Sequence, residues 1–415
     1  MTVMKSMFVN TVARSLSEII SRLGSAVFWV LVARDLGMSG LGSLAFALSL
    51  FSLFGSLGNL GLDSVVIRDV ARQRDLAGHY FGTSLMLGLA SSMLFGSIMV
   101  GVTHVMRPGS GSVFAVNVMA LALIPAAVFH WSRTLLYAAE EMKYVTIARM
   151  IENLFKVGAG AMVLALGHGL TAVVLVVAAS KVLSCLVCCF YAVRQVAVPV
   201  WRAKLEFVRY IIHQAPAFSL IAVFNSLFWS LSVIMLTRLQ GEASAGVFSA
   251  AYKLVDMFLA LSIAYGQALF PVASRISRDQ PLFFRSLVRK SVKYISLLTT
   301  GLAGGLFIFA AKIIEVLYGP GMEAAVPVLQ VLAWVLVPFA IVPVLAYALT
   351  SNMLHKRDLA ANFYSCITVF FLNAVLVPSH GALGAAVALL ASCVLFMAIE
   401  FYWVERQLFH VVIEC

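Results

Sequence analysis

The chain has 415 residues, of which 62% are hydrophobic and 11% charged, and it carries a formal net charge of +11. This balance excludes a soluble globular domain, in which roughly half the residues are apolar and about a quarter charged, and marks an integral membrane protein. The basic excess invites a nucleic-acid reading, which the placement of the charges removes.

Met1 to Ser6 carries one cation, Lys5, and the apolar stretch after it is long, charged in its middle and without a clear cleavage site. It is read as a first membrane span, not a signal peptide. Twelve candidate spans follow in chain order: 8–33, 41–67, 79–104, 112–138, 144–167, 169–193, 210–237, 243–272, 290–316, 323–350, 356–377 and 381–404. Each is long enough for a hydrocarbon core. Turn signals separate them at Gly37 and Gly40, Pro108 and Gly109, Gly167 and Gly169, Gly319 and Pro320, and Pro378 and Gly381.

The first span holds Asn10, Arg14, Glu18 and Arg22 at four-residue spacing, hence on one helical face. A charge at bilayer depth costs about 3 kcal/mol or more, so the stripe is read as facing protein or a wet cavity. A basic cavity suits passage of something anionic. The competing reading is a packing network of salt bridges with no ligand. The fifth span repeats the pattern with Arg149, Glu152, Asn153 and Lys156 at i, i+3, i+4 and i+7. For Arg149 alone, snorkelling to the surface is equally open. Lys181 in span six has no partner on its own helix; cavity lining and an interhelical partner are both open. In span eight, Lys253 and Asp256 sit three apart beside Tyr252, which reads first as a self-neutralised pair and otherwise as a gating or substrate group. Gln214 and Asn225 add polarity to span seven. Asp63, near the end of span two, reads as a partner of Arg68 or a headgroup-level residue, with a coupling protonation site as the alternative. Cys185, Cys188 and Cys189 have a metal-like spacing, but together with Cys366, Cys393 and Cys415 they are read as packing residues, with no metal site. The six tryptophans read as interface anchors or packing groups.

With the N-terminus placed in the cytoplasm, 18 of the 29 Lys and Arg fall in inner segments, 4 in outer ones and 7 within spans. That asymmetry orients both termini inward and accounts for the basic charge without nucleic acid. The connector around 275–293 is placed to touch anionic lipid headgroups. An internal repeat accompanies the topology. Arg34, Gly37 and Gly42 recur as Arg238, Gly241 and Gly246, 204 residues later, with Ala47, Leu50, Phe54 and Leu57 matching Ala251, Leu254, Phe258 and Leu261. The expected organisation is all-α and polytopic, in two parallel six-helix lobes, 1–198 and 199–415, joined by the basic segment 194–209.

Several stretches resemble the polysaccharide-biosynthesis flippases of the Wzx type. They are Ala33 to Gly37 with Gly42 to Phe46, Gly61-Leu62-Asp63 with Arg68 to Ala71, Ala250 to Lys253, Leu269 to Val272, Leu317-Tyr318-Gly319 and Ala325 to Leu329. The sequence departs from that pattern at Met38 and Leu41, where the family often has proline and an aromatic residue. The resemblance implies the multidrug/oligosaccharidyl-lipid/polysaccharide exporter superfamily, with two lobes in a V and alternating access. The implied cargo is a glycan linked to undecaprenyl pyrophosphate, of O-antigen, capsule or exopolysaccharide type, flipped across the bacterial inner membrane. Arg14, Arg22, Arg149, Lys156, Lys181 and Lys253 would then hold pyrophosphate, with Asn10 and Asn153 left for sugar hydroxyls. Glu18, Asp63, Glu152 and Asp256 would serve coupling or gating. Polysaccharide-assembly proteins are the expected partners besides lipid. A cation-coupled multidrug exporter on the same scaffold is the alternative, disfavoured by the basic intramembrane excess; a membrane glycan polymerase or ligase is a further one. No Walker loop, H-E-x-x-H or D-x-D motif occurs, so ATP use and metal chemistry have no support in the sequence, and neither an enzymatic role nor a cofactor is expected.

Overall fold

A computed structural model of the chain describes the backbone of residues 2–59, 62–201, 216–352 and 354–406, and most side chains from residue 24 onward. Hydrocarbon leaves backbone N–H and C=O groups no solvent partner, so each crossing segment must satisfy its own, which a helix does. Among the described residues the structure is nearly all helix, with no strand.

The helices are α1 (Thr2–Asn59), α2 (Asp63–Arg72), α3 (Ala77–Met106), α4 (Ser110–Ala138), α5 (Met142–Ala165), α6 (Gly169–Gln195), α7 (Pro216–Gln240), α8 (Glu242–Asp279), α9 (Pro281–Ile308), α10 (Ala310–Tyr318), α11 (Ala325–Ala333), α12 (Leu336–Ser351) and α13 (His355–Val404). Nine stretches among the described residues are long and apolar enough to cross a membrane. Two of them contain a break and account for two crossings each. The break in α1 is at Gly37 (φ 65°), and that in α13 is at Gly381 (φ 54°), backbone conformations that glycine adopts without steric cost. Helix α5, with 24 residues, is long enough to cross but its charged stripe keeps it out of these nine. With α5 and the two broken helices, the described helices accommodate the twelve crossings anticipated from hydropathy, with shifted ends.

Three differences stand out. Hydropathy places the second span at 41–67, but α1 ends at Asn59 and Asp63 opens the separate helix α2. Helix α2 buries Val65, Val66 and Val70 while leaving Arg68 and Arg72 exposed, so it lies along a surface with one face down. The ninth span is divided at Phe309 and the tenth at Trp334 and Val335. The side chains of Asn10, Arg14, Glu18 and Arg22, and the whole of Arg202, Lys204, Arg209, Gln214 and Cys415, lie outside the described residues.

The chain forms two compact units. One comprises Met1–Leu36 and Ser43–Ser226; the other comprises Gly37–Gly42 and Leu227–Cys415. In the first, Leu62, Val66, Tyr80, Phe81, Trp131 and Leu135 belong to one core that joins α2, α3 and α4. In the second, Leu269, Phe284, Val288, Ile341, Val344 and Leu345 join α8, α9 and α12.

Within the second unit the repeated motifs meet. A Cβ on Gly42 would overlap the carbonyl oxygen of Glu242, and a Cβ on Gly246 would overlap that of Met38. Met38 and Glu242, like Gly42 and Gly246, are 204 positions apart, so the contact is reciprocal. Only glycine permits such an approach of two helix backbones, the usual device where hydrophobic exclusion cannot hold helices together. Gly42→Val and Gly246→Val are therefore expected each to lower the thermal unfolding midpoint of the detergent-purified protein. Gly301→Ala is expected to be neutral, because nothing lies within 4 Å of a Cβ there.

Candidate functional site

Hydrocarbon-facing and protein-facing sides of α5 are distinct. Met150, Leu154 and Phe155 are 42%, 70% and 38% exposed, whereas Glu152 is 9% exposed and Arg149, Asn153 and Lys156 are half-buried. The polar stripe thus turns inward, as the cost of a lipid-facing charge demands. Its anchor is an interhelical ion pair. Lys181 on α6 donates from Nζ to Oε1 of Glu152 at 2.6 Å. Ser184, one turn along α6, donates to the carbonyl of Lys181 at 3.1 Å and lies beside the same carboxylate, and Lys156 adds its charge from α5. Of the two readings open for Lys181, the interhelical partner is the one observed. Both lysines also lie over aromatic rings of α1, Lys181 at 5.9 Å from the centre of Phe51 and Lys156 at 5.8 Å from that of Phe28. Asn153 turns its amide back to the carbonyl of Arg149, at 3.0 Å.

A second cluster lies where α2 meets α4. Asp63, the first residue of α2, is 2.5 Å through Oδ1 from Nε2 of His130. Arg133 donates from Nη2 to Nδ1 of His130 at 3.0 Å, and the same nitrogen is 3.7 Å from Oδ2 of Asp63. Because Nδ1 accepts from arginine, the ring proton sits on Nε2 and is donated to Asp63. Arg149 and Cys188 are near neighbours of the Arg133 guanidinium, and Tyr137 lies 5.7 Å beneath it. Asp63 is therefore the partner of His130 and Arg133, which corrects its assignment to Arg68. Arg68 instead donates to Asp69 at 2.8 Å, and Tyr80 donates to the other oxygen of Asp69 at 3.0 Å, tying α2 to α3.

The described charges in and beside the spans of the first unit are thus four cations, Arg133, Arg149, Lys156 and Lys181, with two carboxylates, Asp63 and Glu152. Arg149 on α5 bears electrostatically on Arg133 of α4, so two guanidiniums serve one region of this unit.

In the second unit, Lys253 and Asp256 form the expected i, i+3 ion pair at 3.5 Å on α8. The neighbouring Tyr252 stacks on Phe248 and lies 5.6 Å from Trp229. Tyr318 is buried and donates to the carbonyl of Ala250 at 2.9 Å, so the Leu317-Tyr318-Gly319 stretch fastens α10 to α8. Two further carboxyls, Asp358 and Glu400, meet in this unit. Reasoning from sequence passed over His130, Arg133, Asp358 and Glu400. His130, Arg133 and Glu400 are ionisable residues inside apolar runs, but the contacts with Asp63 and between Asp358 and Glu400 join positions far apart in sequence.

These observations define a class: an all-helical, multi-pass membrane protein with paired charges inside its spans and a cationic excess in one unit. Three solved structures share the fold. An inward-facing multidrug resistance MATE family transporter of the MOP superfamily matches with a TM-score of 0.80 at 14% identity, covering 97% of this chain and 99% of its own. The lipid II flippase MurJ in an inward closed conformation matches with a TM-score of 0.77 at 12% identity, covering 94% and 87%. A MOP superfamily transporter from Pyrococcus furiosus, noted for reversed polarity of its binding pocket, matches with a TM-score of 0.66 at 13% identity, covering 96% and 95%. The fold is therefore that of the MOP superfamily transporters. Residues 7–277 match the family described as polysaccharide biosynthesis protein, and the chain belongs to that family. No curated protein matches the sequence.

Removing one member of a buried ion pair leaves the other charged and unpartnered, at a cost of about 3–5 kcal/mol. Glu152→Gln and Lys181→Met are each expected to lower the thermal midpoint of the detergent-purified protein. The double variant is expected to recover most of that loss, since it leaves neither member of the pair behind alone.

Proposed function

We propose that this protein is a flippase that moves oligosaccharide repeat units linked to undecaprenyl pyrophosphate from the inner to the outer leaflet of the bacterial inner membrane. The observation that carries the reading is the cationic excess among the described residues in and beside the spans of the first unit, four basic groups against two carboxylates. Arginine grips phosphate oxygens in a bidentate fork, and lysine adds charge without a fixed geometry. Arg149 and Lys156 are assigned to the pyrophosphate, together with Arg14 and Arg22 of the first span. Lys181 supports them by holding Glu152. Lys253 is a further candidate contact in the second unit, with Asp256 gating it. Asn10 is assigned to sugar hydroxyls, with a smaller part for Asn153, whose amide is already engaged. Glu18 and Asp63 are assigned to gating.

Membership of the polysaccharide biosynthesis family supports a glycan cargo, and the flippase activity named for the MurJ neighbour supports a lipid-linked one. The mechanism is alternating access, with the polyprenyl tail remaining in lipid. Both termini are assigned to the cytoplasm, where the basic connectors retain them. A drug exporter for organic cations would need intramembrane carboxylates in excess, and the described first unit has the opposite balance.

The test is leaflet-resolved analysis of polyprenyl-linked repeat units in cells that lack the protein. Inner-leaflet accumulation relieved by the wild type is expected. Arg149→Ala and Arg22→Ala, present at normal membrane levels, are expected to restore export roughly tenfold to a hundredfold less well, the loss of a hydrogen-bonded contact to a charged group. Arg→Lys at either position should retain part of the activity. Repeat units that reach the outer leaflet without the protein would overturn the reading.

A further inference from the structure

Glu400 lies one turn from the end of α13 and is completely buried. Among the described residues neither of its carboxyl oxygens has a hydrogen-bond donor. What it meets instead is a second carboxyl, that of Asp358, one turn into the same helix but on the other side of the Gly381 break. Two acceptors face each other there unless one of them carries a proton.

Among the described residues, the basic group that bears on the pair is the imidazole of His355. Asn362 donates to Oδ1 of Asp358 at 2.8 Å, which positions that carboxyl and brings no charge. His355 is the titratable neighbour of Asp358. Arg357, next in sequence, is stacked 4.0 Å above the ring of Trp403. From the packed elements, α11 offers no ionisable residue and α12 only Tyr347. On α8, Lys253 is paired with Asp256. On α9, Arg285 and Arg289 reach Glu405, beyond the pair. Phe396, Ala361 and Val342 make the adjoining wall apolar. Two carboxyls that meet in a buried setting, one of them without a donor, do not both ionise.

We propose that Asp358 and Glu400 form a proton-binding site in the second unit. One proton is shared between the carboxyls in the conformation described here. When the adjoining ends of the two α13 arms part, the O–H bond breaks, the proton passes to water, and two solvated carboxylates remain. Proton binding and closure of this end are then linked reciprocally: whatever holds the arms together tightens the site, and acid favours closure. The proposal rests on the transport reading only for the use made of the proton, as a coupling ion; the site itself stands without it.

The test uses the purified full-length protein in phosphatidylethanolamine/phosphatidylglycerol vesicles, with no substrate. Infrared difference spectra taken from mildly acid to alkaline conditions should show a protonated-carboxyl C=O band that disappears as the pH rises. That band should be lost in Glu400→Gln and in Asp358→Asn, two shape-conserving variants either of which suffices if the other is not recovered from membranes. In parallel, hydrogen exchange over 355–362 and 396–404 should lose protection in alkali for the wild type and keep it in Glu400→Gln. Absence of the band from the wild type, its persistence in the variants, or exchange indifferent to pH in the wild type would each overturn the proposal. Failure of the leaflet assay with the band intact would leave the proton site and remove the flippase.

Discussion

Hydrocarbon offers an ammonium group no partner, so Lys181 has to bring its own, and Glu152 on the neighbouring helix provides it at 2.6 Å. The rotation of α5 and α6 about their axes follows from that requirement. Once Glu152 faces α6, the rest of its stripe must turn inward too, and Leu154 and Phe155 must turn outward. The same logic places α2. Asp63 can stand at its start because His130 and Arg133 meet it from α4, and the apolar face of α2 then settles on the core around Tyr80 and Trp131. Charge pairing acts here less as a source of stability than as a selector of helix orientation, since mispaired rotations would strand a charge.

Where no charge is involved, approach distance does the selecting. Lipid tails are as apolar as leucine, so helices in a bilayer associate through close packing and not through exclusion from water. Reciprocal glycines at 42 and 246 bring backbone against backbone. Elsewhere side chains close the gaps, as when Asn373 donates to Ser232 at 3.1 Å and Gln240 to the carbonyl of Pro378 at 2.9 Å. The bond between Asn373 and Ser232 also supplies partners to polar groups buried out of reach of water.

The number of crossings was legible in the sequence because hydropathy is a local property, summed over about 20 residues. So was the inward face of α5, which follows from i, i+3, i+4 and i+7 spacing alone. The partners were not legible in the same way. Lys181 and Glu152 are 29 positions apart, and His130 and Asp63 are 67 apart. No periodicity links such residues; only the packing of separate helices does. Asp63 shows the consequence. Arg68 lies near it in sequence and looks like its partner, yet the start of α2 at Asp63 turns Arg68 toward Asp69. The end of the second span was missed for a related reason: α2 has enough valine to prolong the hydropathy signal, although it is a surface helix with one buried face.

The reciprocal glycine contact also sets a rule for chain length. An inserted residue rotates everything beyond it on a helix by about 100°. One residue added between Met38 and Gly42 would swing Gly42 away from Glu242 while Met38 still faced Gly246, and a larger side chain would be driven into the crossing. The corresponding stretch from Glu242 to Gly246 is bound by the same arithmetic. Of all the connections in the chain, these two five-residue segments are the ones where an insertion or deletion is least tolerable, although each lies beside a turn, where length variation is ordinarily absorbed.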